Sequence, residues 1–463
     1  MYGFADVIVL VVGGFLLLPL YTRTMSQSEF GTYVIVRANI EILTYLLYLG
    51  LPSAVARVYF DYKKTSHHVE YLSSVMIFFV LYAAVFGALM SVWGSVLWTM
   101  LSPTTPVFPY LAFSLAIAFV GFFATLGSLW LRNEGRAAAV AGQQVGASIV
   151  LVVATVTSLV LLHKGLPGLL IALLISSACS ALILPWLFGR GFRPVFRWAH
   201  IRESLHYGVP ITIGYVAYFV RNRFSIFILQ RYVPVDQIAI FGLAQQLATM
   251  VFIAGVAFGK ASQPAVFAAE PAQAAEMIER AGKVMRLVMF CVTSALALFA
   301  SEIFALVAPK SYSRGIDILL VLLLASFAYS FMQISETALL YHRRPKMPAA
   351  VSVVGAAIAA SLSIWLVPLY QLYGAALAIA GASITMALLS NWMAYRVSGY
   401  SYLKPMLLTL AAVCVLALFA AWVQRQGLPT LTSISLKVGA GALVFAAMYL
   451  FLAKKPPAAL CVL

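Results

Sequence analysis

Arg37, Arg221 and Arg223 stand in runs that are otherwise fit for a membrane interior; the clearest is "YFVRNRFSIFIL", Tyr218 to Leu229. A guanidinium in mid-span costs about 2.5–3.5 kcal/mol if it faces lipid, so three would cost about 8–10 kcal/mol. Arg221 lies about nine residues from one end of its run and fourteen from the other, roughly 14 Å and 21 Å at 1.5 Å per residue, so snorkelling reaches water poorly. A water-filled chamber or an ion pair accounts for such residues better, and a chamber lined by arginines suits a negatively charged guest. Arg221 and Arg223 project about 200° apart on a regular helix. Arg221 is therefore expected to face the chamber. Arg223 is expected to pack against a neighbouring span, with Glu41 or Glu336 as its partner.

Other polar groups recur at helical spacing. Tyr33, Arg37, Glu41, Thr44, Tyr45 and Tyr48 follow one another at intervals of three and four, which places them on one face and lets Arg37 pair with Glu41. Ser326, Tyr329, Gln333, Glu336 and Thr337 form a second such stripe, and Tyr215, Tyr218, Asn222 and Ser225 a third beside Arg221. Gln143, Gln144 and Ser148, and Gln245, Gln246 and Thr249, are shorter polar sets. The expected central-cavity residues are Arg37, Glu41, Arg221, Asn222, Arg223, Gln333 and Glu336, with Arg23 and Arg231 at the outer mouth. No Gly-rich phosphate loop, HExxH or Cys/His cluster occurs, so neither a metal site nor a resident cofactor is expected.

The elements that carry these residues are membrane helices. Of 463 residues, 63% are hydrophobic and 10% charged, and mean hydropathy is +0.98. Soluble chains carry about 25% charged residues. Fourteen runs of about 20 apolar residues are expected to span, near 4–21, 31–51, 71–96, 109–131, 138–162, 166–188, 207–230, 238–259, 284–308, 316–340, 348–368, 373–395, 405–423 and 434–453. The first run ends in "PLYTRT" without a small-residue cleavage site and reads as a span. Of the 30 Lys and Arg, 20 fall on one alternating set of connections and 7 on the other. The rich side is cytoplasmic by the positive-inside rule, so both termini face the cytoplasm. The net charge of +16 then reflects topology, not nucleic acid. Cys179, Cys291, Cys414 and Cys461 have no metal or redox spacing and are expected to be free, buried thiols. The loop after residue 259 is expected to contain an amphipathic cytoplasmic helix from about Ala272.

A 208-residue shift pairs Tyr2–Arg23 with Tyr207–Arg231 and suggests two six-span halves of like orientation. The division is 1–188 for an N-terminal lobe, 189–206 for a basic cytoplasmic linker, 207–396 for a C-terminal lobe and 397–463 for two extra spans with a tail.

"LLLPLYTRTMSQSEFGTYVIVRANIEILTYLLYLGLPSAVARVYFDYKK" resembles the opening of bacterial polysaccharide flippases of the Wzx type. Glu29, Phe30, Gly31 and Tyr33 supply their acidic–aromatic–Gly–x–Tyr turn. "YGVPITIGYVAYFVRNRFSIFILQRYVPVDQIAIFGLAQQL" resembles the family's mid-chain pattern through Tyr207, Gly208, Pro210, Arg223, Asp236 and Phe241, with Ala239 where Gly is usual. The resemblance implies the multidrug/oligosaccharidyl-lipid/polysaccharide (MOP) exporter fold: an all-α polytopic protein of about 14 transmembrane helices, in two six-helix lobes plus two C-terminal helices.

It also implies a non-enzymatic flippase that moves an undecaprenyl-pyrophosphate-linked oligosaccharide across the bacterial inner membrane by alternating access, for O-antigen, exopolysaccharide or other surface glycan. Arg37 and Arg221 would grip the diphosphate. Glu336 or the Arg37–Glu41 pair would couple transport to Na+ or H+. A polysaccharide polymerase and glycosyltransferases are the expected partners, besides membrane lipids and the lipid-linked substrate. Lipid II or another guest of the same fold is the nearest alternative, and a non-transporting scaffold of a secretion complex the next. A cation exporter would want an acidic chamber, and a glycan polymerase a longer outward loop than any here.

Overall fold

The computed structural model describes residues 15–65, 67–184, 194–268, 271–344, 346–399, 401–426 and 430–453. All regular structure among them is helical. The first expected span is described only from residue 15, where it contributes helix α1, Leu18–Thr24. Arg190 and Arg193, the tail and Cys461 lie outside the described residues. Nine helices among the described residues are long and apolar enough to cross a membrane. The chain folds as two compact units, which divide between Ala239 and Ile240.

In the first unit, α2 (Gln27–Tyr48) starts at a reciprocal cap. The Ser26 hydroxyl accepts from the Glu29 amide at 3.1 Å, and the Glu29 carboxylate accepts from the Ser26 amide at 2.9 Å. This explains the acidic residue of the sequence motif. The motif's Gly31 lets the chain pass close: a Cβ there would lie 2.2 Å from the Val235 carbonyl oxygen.

α2 ends where two consecutive residues, Leu49 and Gly50, take positive φ (48° and 68°). Pro52 then restarts the helix as α3, Leu51–Lys64. The restart was not anticipated, because Arg57, Asp61, Lys63 and Lys64 read as a cytoplasmic loop. α4 (His68–Leu101), α5 (Tyr110–Asn133), α6 (Ala137–Val156, continued by a π-helical turn, Thr157–Leu161) and α7 (Gly165–Ala181) follow. α8 runs from Trp198 to Leu229 with Pro210 inside it, so Trp198–His206 are already helical.

The core of this unit is aromatic. Phe79 and Phe122 stack at 3.5 Å between ring centroids, with Tyr48 edge-on to both. Tyr48 therefore leaves the polar stripe and belongs to the packing. Gln143 donates to the Ala124 and Ser180 carbonyls and so binds α6 to both α5 and α7.

At the basic end of α3, Glu134 accepts from the Tyr59 hydroxyl at 2.5 Å and pairs with Lys63 at 2.8 Å. Burial opposes charge on Glu134, but the bonds from Lys63 and Tyr59 outweigh it and hold the carboxyl below its ordinary range. A carboxylate depressed in the folded state stabilises above its unfolded pKa, and that contribution is lost as pH falls through the folded pKa. Glu134→Gln should therefore reduce stability near neutrality, and the gap from wild type should narrow as pH falls from neutrality through and below the ordinary carboxylate range. Unfolding curves in detergent at neutrality and below that range measure it.

The second unit is built on α9 (Val235–Ala268, which enters from the first), α10 (Pro271–Leu298) and α11 (Ala300–Val307). α12 (Gly315–Tyr341), α13 (Lys346–Ser398), α14 (Leu403–Arg425) and α15 (Thr430–Ala453) complete it. The amphipathic segment expected from Ala272 is not separate. It is the first half of α10, where Glu276–Arg280 and Glu279–Lys283 pair along one face. α13 contains two of the expected spans. Gln371 (φ 51°, ψ −121°) breaks it between them, with Pro368 three residues before. Phe290, Leu298, Val413, Leu416 and Ala420 pack α10 against α14. The cysteines depart from expectation: Cys179 and Cys291 are exposed rather than buried, since their helices turn those faces outward to the apolar surface.

Candidate functional site

The site residues of the first unit stand on α2 and α8. On α2, Tyr33, Arg37, Glu41 and Tyr45 succeed one another every four residues, one above the next. Arg37 is in electrostatic contact with Tyr33 and Glu41 and hydrogen-bonds the Tyr33 side chain. Tyr33 packs edge-on to Tyr21, 5.8 Å between centroids.

Of the two carboxylates the sequence offers Arg223, Glu41 is the one it meets, at 3.0 Å between Nε and Oε2. The other oxygen of Glu41 accepts from the Tyr45 hydroxyl at 3.1 Å. The Tyr45 ring stacks on Tyr215, 5.4 Å between centroids and 19° between planes. The Tyr215 hydroxyl in turn bonds Ser53 at 2.8 Å, in the first turn of α3. One chain of contacts thus runs from Arg223 through Glu41, Tyr45 and Tyr215 to Ser53 and ties the broken helix α2–α3 to α8.

Arg221 is 5% exposed, with its guanidinium 5.4 Å from the Tyr218 ring centroid. Such a contact favours a cation in a desolvated place. Arg223 and Glu41 keep 20% and 21% of their side chains exposed. Arg221 is the more enclosed of the two arginines, although the sequence placed it towards water. Asn222 donates to the Tyr218 carbonyl at 2.9 Å. Three arginines against one glutamate leave this cluster with an excess of positive charge.

The crossing of α8 over the helix break positions the cluster. Leu49, Gly50 and Gly208 meet backbone to backbone: a Cβ on Gly50 would lie 2.1 Å from the Gly208 carbonyl oxygen, and one on Gly208 2.6 Å from that of Leu49. A side chain at Gly50 or Gly208 would block this approach. The Tyr-Gly pair at 207–208 was visible in the sequence, whereas its partner in "LGLPS" was not recognised. Continuous apolar flanks hid the break there.

The remaining expected residues lie elsewhere. Arg231 donates to the Met100 carbonyl at 3.1 Å, and Arg23 is exposed at the end of α1. Gln333 and Glu336 stand on α12 of the second unit, both half-buried. Gln333 and Thr337 line a small pocket with Phe258, Gly259 and Ser262. Among the described residues, no group of three His, Cys, Asp or Glu could hold a metal ion.

The all-helical, membrane-spanning fold and the family match place the chain in a class, the MOP superfamily. The fold is similar to that of a lipid II flippase, MurJ, in an inward closed conformation, with TM-score 0.78 and 13% identity over 98% of each chain. An inward-facing multidrug resistance MATE family transporter matches with TM-score 0.66 and 16% identity over 86% of this chain and 99% of that one. A mutant of the Vibrio cholerae MATE transporter VcmN matches with TM-score 0.62 and 14% identity over 85% and 94%. The chain belongs to the polysaccharide biosynthesis protein family, whose pattern it matches over residues 7–270. A comparison with curated proteins found no match.

Proposed function

We propose that the protein flips a lipid-linked oligosaccharide on an undecaprenyl pyrophosphate carrier across the bacterial inner membrane by alternating access, with both termini in the cytoplasm. The observation that carries this reading is the cluster of Arg37, Arg221 and Arg223 against the single carboxylate of Glu41, deep in otherwise apolar helices. A diphosphate is a compact polyanion, and planar guanidinium groups match its oxygens in pairs. Tyr215, stacked on Tyr45 by one face and 39% exposed, leaves its other face for the first sugar.

Arg221→Ala should leave lipid-linked glycan in the inner leaflet and reduce surface polysaccharide by at least about tenfold, the equivalent of one lost charged hydrogen bond. Mass analysis of carrier-linked glycans in a deletion strain complemented by each variant measures it, and identifies the glycan. Arg221→Lys keeps the charge and removes the fork, so it separates the two contributions. Full surface polysaccharide from a well-expressed Arg221→Ala strain would remove this role.

A further inference from the structure

We propose that Glu41 is a built-in competitor for the substrate's anionic group: it occupies Arg223 until a diphosphate displaces it, and so sets how much negative charge a guest must bring. The inference rests on the reading of the arginine cluster as an anion site.

The geometry is that of a bound anion already in place. Both oxygens of Glu41 are engaged, Oε2 by Arg223 Nε at 3.0 Å and Oε1 by the Tyr45 hydroxyl at 3.1 Å. Tyr45 is itself held by its stack on Tyr215, and Tyr215 by Ser53. The carboxylate therefore sits where a phosphate oxygen pair would receive the same donors. It is not sealed, since both partners of the ion pair remain about one-fifth exposed.

Removal of Glu41 from the account changes the cluster's charge balance by one unit. With it, three arginines carry a net excess of two; without it, three. A neutral glycan or a monoanionic head group offers Arg223 nothing better than the tethered carboxylate it already has. A diphosphate brings more than one charge to Arg223 and to Arg37, the two arginines that Glu41 meets, and can win. Selectivity then comes from an internal rival as well as from attraction.

The test uses the purified full-length chain in detergent, with inorganic pyrophosphate and inorganic phosphate as probes, by calorimetry at fixed pH and salt. Glu41→Gln should bind pyrophosphate about tenfold tighter than wild type, about 1.4 kcal/mol, and should discriminate less against phosphate. Glu41→Asp, which keeps the charge, should stay within about threefold of wild type and covers the case in which the glutamine variant folds poorly. Arg223→Gln added to Glu41→Gln should erase the gain.

Unchanged or weaker pyrophosphate binding in Glu41→Gln would overturn the proposal, as would a gain that survives Arg223→Gln. If wild type binds pyrophosphate and Arg221→Ala abolishes it while Glu41→Gln changes nothing, the anion site stands and the competitor falls. If no variant binds pyrophosphate, both fall.

Discussion

Alanine at Gly50 should destabilise the first unit by about 2–5 kcal/mol, a large fraction of the total stability of an ordinary domain. Two costs add. The residue has φ of +68°, a left-handed conformation that charges an L side chain about 1–2 kcal/mol. The new methyl would also lie 2.1 Å from the Gly208 carbonyl oxygen, a contact that only backbone movement can relieve, at about 1–3 kcal/mol. Gly208→Ala meets the Leu49 carbonyl at 2.6 Å without the conformational cost and should fall in the lower part of that range. The two changes strain the same crossing, so the double variant should lose less than the sum. Gly87 supplies the control. A Cβ there meets nothing within 4 Å, and alanine should be neutral or stabilise by about 0.5–1 kcal/mol. Denaturant unfolding of the four variants and wild type in the same detergent decides the matter. A Gly50→Ala variant as stable as wild type would show that the crossing tolerates a side chain.

The second large effect is expected within the second unit. Lys437 on α15 is 1% exposed, and its ammonium reaches Glu302 on α11 at 2.7 Å and Ser301 at 3.3 Å. Removing the acid leaves a buried ammonium without its counter-charge. Broken buried pairs typically cost about 3–5 kcal/mol. Glu302 is about a quarter exposed, so Glu302→Gln should lie near the lower bound, about 3 kcal/mol. Replacing both residues together, Lys437→Met with Glu302→Gln, should recover most of that loss, because the penalty belongs to the unpaired charge. Melting curves of the single and double variants measure the pattern. Equal losses in both would mean that the pair matters through packing and not through charge.

What the sequence disclosed follows the range over which physical signals act. The stripe Tyr33–Arg37–Glu41–Tyr45 was legible because helical periodicity is local and arginine among apolar residues is costly anywhere. The choice of Glu41 over Glu336 for Arg223 was not, because 182 residues separate the partners and neither has a local reason to prefer the other. Lys437 and Glu302, 135 residues apart, show the same limit, and Lys437 counted only as one of the seven basic residues on the charge-poor side. The family motif Glu29–Gly31 marked a turn, but its content became clear only with the reciprocal cap on Ser26 and the close pass of Val235. α3 was missed for the opposite reason: a charged amphipathic helix that continues beyond a break resembles a loop in any count of apolar residues.

The outward-facing thiols give the chain native reporter positions. Cys179 lies in the first unit and Cys291 in the second, both with exposed side chains. With Cys414 and Cys461 replaced by serine, spin labels on this pair would need no engineered attachment point. The spread of distances between them, recorded with and without pyrophosphate, would show whether occupancy of the anion site shifts one unit against the other.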